Sequence, residues 1–274
     1  MSPAEHAAAK VANASLDLRL SLTFLPPEQR AAQTALHAVY LELHEVPQEV
    51  RDPGVADVKL RWWEEEIGFL YSGKARHPLT QALQPHMAAL KGTDSLFRDL
   101  ISGTHMDIAG AGFTTYEDVK RYCFRHSGAL AELSALLGGA DGEATRLAAR
   151  LLGNASCLAD IANRGVARAL GGRLLFASDD LKRHGVDQHI HGESHGTEQV
   201  QALVRDYAER AQAMADDASS GQRALAVWQV RSALALRRAH MQVRAGSGRA
   251  AEPVELHPLS ALFTAWRTAR QASR

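Results

Sequence analysis

The sequence predicts an all-α fold, on three observations. Apolar residues recur at helical rather than strand spacing along nearly the whole chain. Alanine, leucine and arginine are abundant while β-branched residues are sparse, and the breaks between periodic stretches are short and rich in glycine or proline. No alternating polar and apolar stretch of useful length and no repeat at a fixed period interrupts this pattern. One all-α domain over residues 1–274 with short antiparallel connections is the economical reading.

Taken in order, residues 1–14 read as flexible. In PPEQRAAQTALHAVYLELHE a proline pair opens a helix, and Leu36, Val39, Tyr40 and Leu43 recur at i, i+3, i+4 and i+7 as one apolar stripe. Further helices are expected over 55–71, 79–90, 94–108, 115–138, 143–169, 197–218, 221–245 and 257–271. TYED places Thr115 three residues ahead of Asp118, a capping-box variant that starts the helix over 115–138. Asp179 and Asp180 open a short helix in FASDDLKR, with Ser178 or Asp179 as its N-cap and capping as their task. SGKARHP and LLGGADGE are breaker-rich connections, and RHGVDQHIHGESHG reads as a mobile loop over 184–196.

Thirty-one basic residues balance 31 acidic ones, which excludes a bulk field for nucleic acid or an anionic membrane and leaves charge effects local. Cys123 and Cys157 are too few and too far apart for a disulfide scaffold or a zinc ribbon, and read as buried reduced thiols. The N-terminus lacks the pattern of a secretory signal, and no apolar run approaches the ~20 residues needed to span a bilayer. The expected location is cytoplasmic, with peripheral membrane contact left open.

The stretch CLADIANRGVARALGGRLLF sets Asp160, Arg164 and Arg168 on one face of a helix whose other face is small and apolar. Read alone, this is a solvated face carrying an ordinary i, i+4 pair. His184, His189, His191 and His195 suggest a transition-metal cluster, but their glycine-rich setting lacks a supporting carboxylate at helical spacing. In RWWEEEI, Trp62 or Trp63 is expected to pack and the glutamates to face water. His105 and Asp107 in THMDI read as core or rim residues, and Gly171–Gly172 reads as a turn.

Five segments in order, LTFLPPEQRAAQTALHAVY, RWWEEEIGFLYSGKARHPLTQAL, LISGTHMDI, TTYEDVKRYCFRHSGALAELSALLGG and GGRLLFASDDLKRHGV, resemble the squalene/phytoene synthase family of head-to-head prenyl-diphosphate synthases over nearly the whole chain. The resemblance implies an isoprenoid-synthase-type helical bundle with a central cavity, and magnesium held by two acidic motifs. Where the first motif has its aspartates this chain has His44, Glu45 and Gln48, with Glu49 beside them. Where the second has glutamine, asparagine, arginine-aspartate and a last aspartate, it has Cys157, Asp160, Asn163–Arg164 and Arg168. Arg19 is the phosphate-binding candidate left in the N-terminal segment, beside Arg164 and Arg168.

Magnesium takes oxygen ligands, and a guanidinium that stays protonated sets a permanent positive charge in that seat. The expected outcome is a catalytically degenerate protein that keeps the fold for binding or assembly and needs no cofactor. In it Arg164 and Arg168 form salt bridges across the cavity to Glu42, Glu45 or Glu49, or else bind phosphate themselves. Its partners would be a prenyl diphosphate or an apolar lipid in the cavity, or a protein; a mitochondrial branch of the family is similar in having an assembly role. Two other readings stay open. One is an active prenyltransferase condensing two farnesyl or geranylgeranyl diphosphates with magnesium on the shifted ligands Glu45, Glu49 and Asp160; the other is an isoprenoid or lipid carrier.

Overall fold

The computed structural model describes residues 1–50, 52–110, 112–140, 142–187, 190, 196–218 and 225–272, and these form helices joined by turns. Among them, extended pairing is limited to an isolated parallel bridge between Phe113 and Ala177.

Helix α1 (Pro3–Ala12) opens on a complete capping box: the Ser2 amide donates to Glu5 Oε2 at 2.7 Å and the Glu5 amide to Ser2 Oγ at 3.3 Å. Ala7 and Val11 are buried, and Lys10 reaches Glu42 at 2.6 Å and also Glu45. Much of the segment 1–14, read from sequence as flexible, forms this helix, with a cap, a small apolar contact and a charge cluster joining it to the rest. Helix α2 (Leu16–Thr23) starts under a Ser15 cap, and α3 (Pro27–Glu49) runs through Pro47 to its end.

Helix α4 (Pro53–Tyr71) buries Trp63 and leaves Trp62, Glu64 and Glu65 exposed. Glu66 corrects the expectation that its glutamates face water. It is buried and accepts from the amides of Arg76 (2.8 Å) and His77 (2.9 Å) and from the Thr80 hydroxyl (2.5 Å), which fixes the turn into α5 (Pro78–Leu83). Burial alone would raise its pKa, but these hydrogen bonds win and hold the carboxyl below its ordinary value.

The helix expected over 79–90 breaks at Pro85, where α5 gives way to a 3-10 turn over 84–90. After α6 (Asp94–Ile108), the stretch expected as one helix over 115–138 is α7 (Tyr116–Cys123), a π turn over 124–128, and α8 (Ala129–Leu137). Helix α9 (Glu143–Leu170) presses on this π turn. A Cβ added at Gly153 would lie 2.6 Å from the Ser127 carbonyl oxygen and 2.8 Å from Gly128 Cα, so only glycine lets the two backbones meet.

Helix α10 (Ser178–Arg183) has Ala177, not Ser178 or Asp179, at its N-cap, with no side-chain cap. Asp180 is buried and accepts from Tyr207 at 3.0 Å and from Arg210 at 2.8 Å, so it anchors α11 (Glu198–Asp217) instead of capping. His189, His191 and His195 and much of the loop expected over 184–196 lie outside the described residues; His184 pairs with Asp206 at 3.1 Å. Helices α12 (Ala226–Ala245) and α13 (Pro258–Ala272) complete the chain.

One apolar core gathers α3, α4, α6 and α8 around Trp63, Leu36 and Phe97, and a second gathers α7, α9, α11 and α12 around Phe176 and Tyr207. Helix α9 serves both, with Ala149 and Leu152 in the first and Leu158, Ile161 and Val166 in the second. Its remaining face, from Ser156 to Arg168, fronts a cavity. Among the described residues no helix is long and apolar enough to cross a membrane.

Candidate functional site

The cavity, about 670 Å³, lies between α3, α9 and α12, with the end of α6, the π turn and the segment before α13 closing its sides. That volume suits a small-molecule ligand. Its wall is unusually charged: Arg164, Arg168, Arg173, Arg231 and Arg238 stand among Asp17, Asp107, Asp160 and Glu255.

On α9, Arg168 donates to Asp160 at 2.7 Å, Arg164 lies 3.3 Å from the other Asp160 oxygen, and Arg164 donates to Glu255 at 2.6 Å. Burial weakens Arg168's hold on its proton, but the Asp160 carboxylate more than offsets this and its pKa is raised. The solvated-face reading is thus incomplete, because the charged face of α9 looks into the cavity. The expected bridges across the cavity are also corrected. Glu42 and Glu45 are bound by Lys10 and Glu49 by Lys59 at 2.6 Å, and neither Glu45 nor Glu49 is on the cavity wall. The physical reason is proximity: lysines on α1 and α4 reach the α3 carboxylates, and the arginines find Asp160 one or two turns away on their own helix.

The other positions matched to the family motifs divide between wall and scaffold. His44, Gln48 and Cys157 line the cavity. His44 is held neutral, its pKa pushed well down by burial and by neighbouring His126, with Nδ1 bonded to the Tyr40 carbonyl at 3.2 Å and Nε2 buried without a partner. Cys123 and Cys157 are free and buried, and burial with a mutual hydrogen bond pushes the Cys123 thiol up. Asn163 turns away from the cavity: its amide donates to the Val254 carbonyl at 3.1 Å and its oxygen accepts from the Val254 amide at 2.9 Å, strapping the approach to α13 onto α9. Arg19 is exposed on α2 and off the cavity wall, so it is not placed to bind a ligand there.

Three features escape sequence reasoning. Asp107, read as core or rim, is a shared acceptor on the cavity wall. It accepts from Tyr122 at 2.9 Å and Arg173 at 2.9 Å and pairs with His126 at 3.1 Å, while its sequence neighbour His105 lies apart, 3.6 Å from Asp57. Burial opposes its ionisation, yet His126 and Arg173 prevail and hold its carboxyl well below the usual carboxylate range. The π turn supplies His126, which a sequence pattern marks only as one more helical residue; π turns do cluster at functional positions.

The third is Arg231 on α12. Its guanidinium sits 4.4 Å from the centre of the Trp228 ring, and Nη1 is buried with no hydrogen-bond partner. Asp17, the carboxylate whose field acts on it, is already bound to Arg238, and burial lowers the pKa of Arg231. The same cation helps to press the pKa of fully buried His37 down to about 3, behind the larger effect of burial itself. No sequence signal distinguishes Arg231 from Arg237 and Arg238 nearby.

Magnesium, implied by the family resemblance, does not fit these positions. Of the residues standing where the two acidic motifs would be, Asp160 is the carboxylate on the cavity wall, and both arginines beside it hold it. Among the described residues no three His, Cys, Asp or Glu side chains come together as a metal-ligand set. A divalent ion there would face guanidinium groups.

The sequence profile of the squalene/phytoene synthase family matches residues 11–244. The 15-cis-phytoene synthase of Synechocystis sp. is 26% identical over 235 residues, covering 79% of this chain and 69% of that enzyme. The chloroplastic phytoene synthase of Daucus carota is 24% identical over 211 residues, and the chain spans 52% of its length. Among solved structures, a dehydrosqualene synthase in complex with ligand superposes with a TM-score of 0.76 over 99% of this chain and 95% of that one, at 16% identity. The squalene synthase HpnC from Alicyclobacillus acidocaldarius gives 0.71 over 99% and 94%, at 19% identity. These two likenesses carry the fold, an all-α isoprenoid-synthase bundle, and with the profile covering most of the sequence the chain belongs to the squalene/phytoene synthase family.

Proposed function

We propose that this chain is a catalytically degenerate family member, cytoplasmic and without a metal cofactor, that binds an isoprenoid carrying a phosphorylated head and does not transfer its prenyl group. The observation that carries this reading is Arg231, a cation on the cavity wall with a buried, unpartnered Nη1. A buried guanidinium nitrogen without a hydrogen-bond partner is costly, and because Arg231 stands on the cavity wall an anionic head group there would offset its charge. Arginine forks match phosphate oxygens in pairs, so Arg231, aided by Arg164 and Arg168, supplies by direct hydrogen bonds the positive charge that metal ions supply elsewhere in the family. Leu41, Leu175, Ala235 and Leu256 give the apolar part of the same wall to the hydrocarbon chain.

Ionisation of an allylic diphosphate needs strong stabilisation of the departing anion. The alternative, head-to-head transfer on Glu45, Glu49 and Asp160, requires the first two to leave Lys10 and Lys59 and reach a cavity they do not line.

Calorimetric titration with farnesyl and geranylgeranyl diphosphate tests the proposal. Binding should be equal in EDTA and in excess magnesium, and no pyrophosphate should form. Arg231→Met should weaken binding at least about tenfold while raising the melting temperature of the ligand-free protein, since it removes a desolvated cation whose Nη1 has no hydrogen-bond partner. Magnesium-dependent pyrophosphate release would sink the idea.

A further inference from the structure

Helix α13 turns its large apolar side chains outward and its small ones inward. Ala261, Thr264, Ala265, Ala269 and Ala272 are buried, whereas Leu259, Leu262, Phe263 and Trp266 form a stripe at i, i+3, i+4 and i+7, with Leu259 70% and Phe263 57% exposed. A helix that merely closes a bundle does the reverse, and a contiguous exposed apolar stripe marks an interaction surface.

The charges that α13 itself carries are of one sign. Helix α13 contains no Asp or Glu; Arg267 and Arg270 are exposed, and Arg270 lies 5.5 Å from the centre of the Trp266 ring. Alongside, Arg237 on α12 donates to Thr264 at 3.0 Å. The acids that precede the helix are engaged, Glu252 by Arg249 at 2.9 Å and Glu255 by Arg164 at 2.6 Å.

We propose that α13 docks in the plane of an anionic lipid bilayer, with Leu259, Leu262, Phe263 and Trp266 in the headgroup–acyl boundary and Arg267 and Arg270 on lipid phosphates. An apolar face bearing Trp, Phe and Leu beside a cationic edge is the pattern of an interfacial helix. Charge complementarity selects this occupant. A second copy of the chain meeting the stripe symmetrically would bring the arginines of both copies together with no acid on α13 to receive them.

Co-sedimentation of the purified chain with phosphatidylcholine vesicles, with and without phosphatidylglycerol, reads this directly. The wild type should bind the anionic vesicles preferentially, and less as salt is raised. Phe263→Glu should weaken partitioning by about tenfold or more, and Arg267→Gln and Arg270→Gln by about fivefold each, on anionic vesicles only. Unchanged circular-dichroism melting would verify that these exposed positions leave the fold intact. Absence of wild-type binding, or indifference to Phe263→Glu, overturns the proposal. So does a dimer, detected by light scattering, that Phe263→Glu dissolves while vesicle binding persists. Arg231→Met should bind vesicles like the wild type, so failure of the ligand reading and failure of this one are told apart.

Discussion

Helices α9 and α13 break the amphipathic rule in opposite directions. Helix α9 sends Asp160, Arg164 and Arg168 into a cavity, and α13 sends Leu259, Phe263 and Trp266 out to water. The inward charges of α9 are paired with acids, and so are the other cavity arginines apart from Arg231. Among the described residues the outward stripe of α13 stays exposed, with Leu259 and Phe263 more than half accessible. The difference separates two kinds of exception to core packing: charges inside a fold must be balanced within it or by a ligand, whereas apolar groups outside it can wait for an external surface.

The strongest way to break the comparison lies on the cavity wall. Asp107→Ala leaves Arg173, Tyr122 and His126 without their shared acceptor and should cost about 3–5 kcal/mol in urea unfolding at neutral pH. The folded carboxyl titrates below its unfolded value, so its contribution is fully present above that unfolded value of about 4 and fades as pH falls through the lower folded one. The gap between variant and wild type should therefore narrow in acid. A gap below about 1 kcal/mol at neutral pH would show that the network is ornamental.

Restoring acids to α9 tests the charge balance itself. Arg164→Asp with Arg168→Asp surrounds Asp160 with like charge and frees Glu255; the half-exposed setting limits the expected loss to about 1–2 kcal/mol. Three carboxylates at i, i+4 and i+8 would then face the cavity, and added magnesium should raise the melting temperature of this variant and not of the wild type. Equal responses of the two proteins would undo the claim that the arginines exclude the ion.

How much of this was legible beforehand follows from the range of each interaction. The 3.6-residue period exposed the long helices, because burying a stripe is a local property of the chain. It missed α1, whose alanine-rich face carries little periodic signal, and did not mark the π turn at 124–128, which meets α9 backbone to backbone at Gly153. At the site, family resemblance pointed to the stretch from Cys157 to Arg168 but not to its partners. Lys10 meets Glu45 across 35 residues and Arg164 meets Glu255 across 91. Which acid reaches which base is decided by tertiary packing, and Arg231 stands out only once its surroundings are known.

His37 sharpens the inward half of the comparison by pH. It is buried, bonded through Nδ1 to the Gln33 carbonyl at 2.8 Å, and stays neutral down to about pH 3 under burial and the field of Arg231. Between that value and the ordinary 6.5 the unfolded chain binds a proton the native state refuses, so stability falls as pH is lowered through this window. His37→Phe should flatten the wild-type slope by up to about 1.4 kcal/mol per pH unit. Identical slopes would place the cause of acid sensitivity elsewhere.

The smallest expected effect is the one that isolates α13. Truncating a buried phenylalanine costs about 3–5 kcal/mol, yet Phe263 is 57% exposed, and Phe263→Ser should change unfolding free energy by less than about 0.5 kcal/mol. Denaturant titration at several protein concentrations measures this. A large, concentration-independent loss would mean that the stripe is packed within the chain in solution, and α13 would then be an ordinary core helix. A loss that grows with protein concentration would mean that copies of the chain cover the stripe. A small change at every concentration leaves Phe263 with no structural duty inside the chain, and a side chain of that size kept in water is then explained by a surface outside the protein.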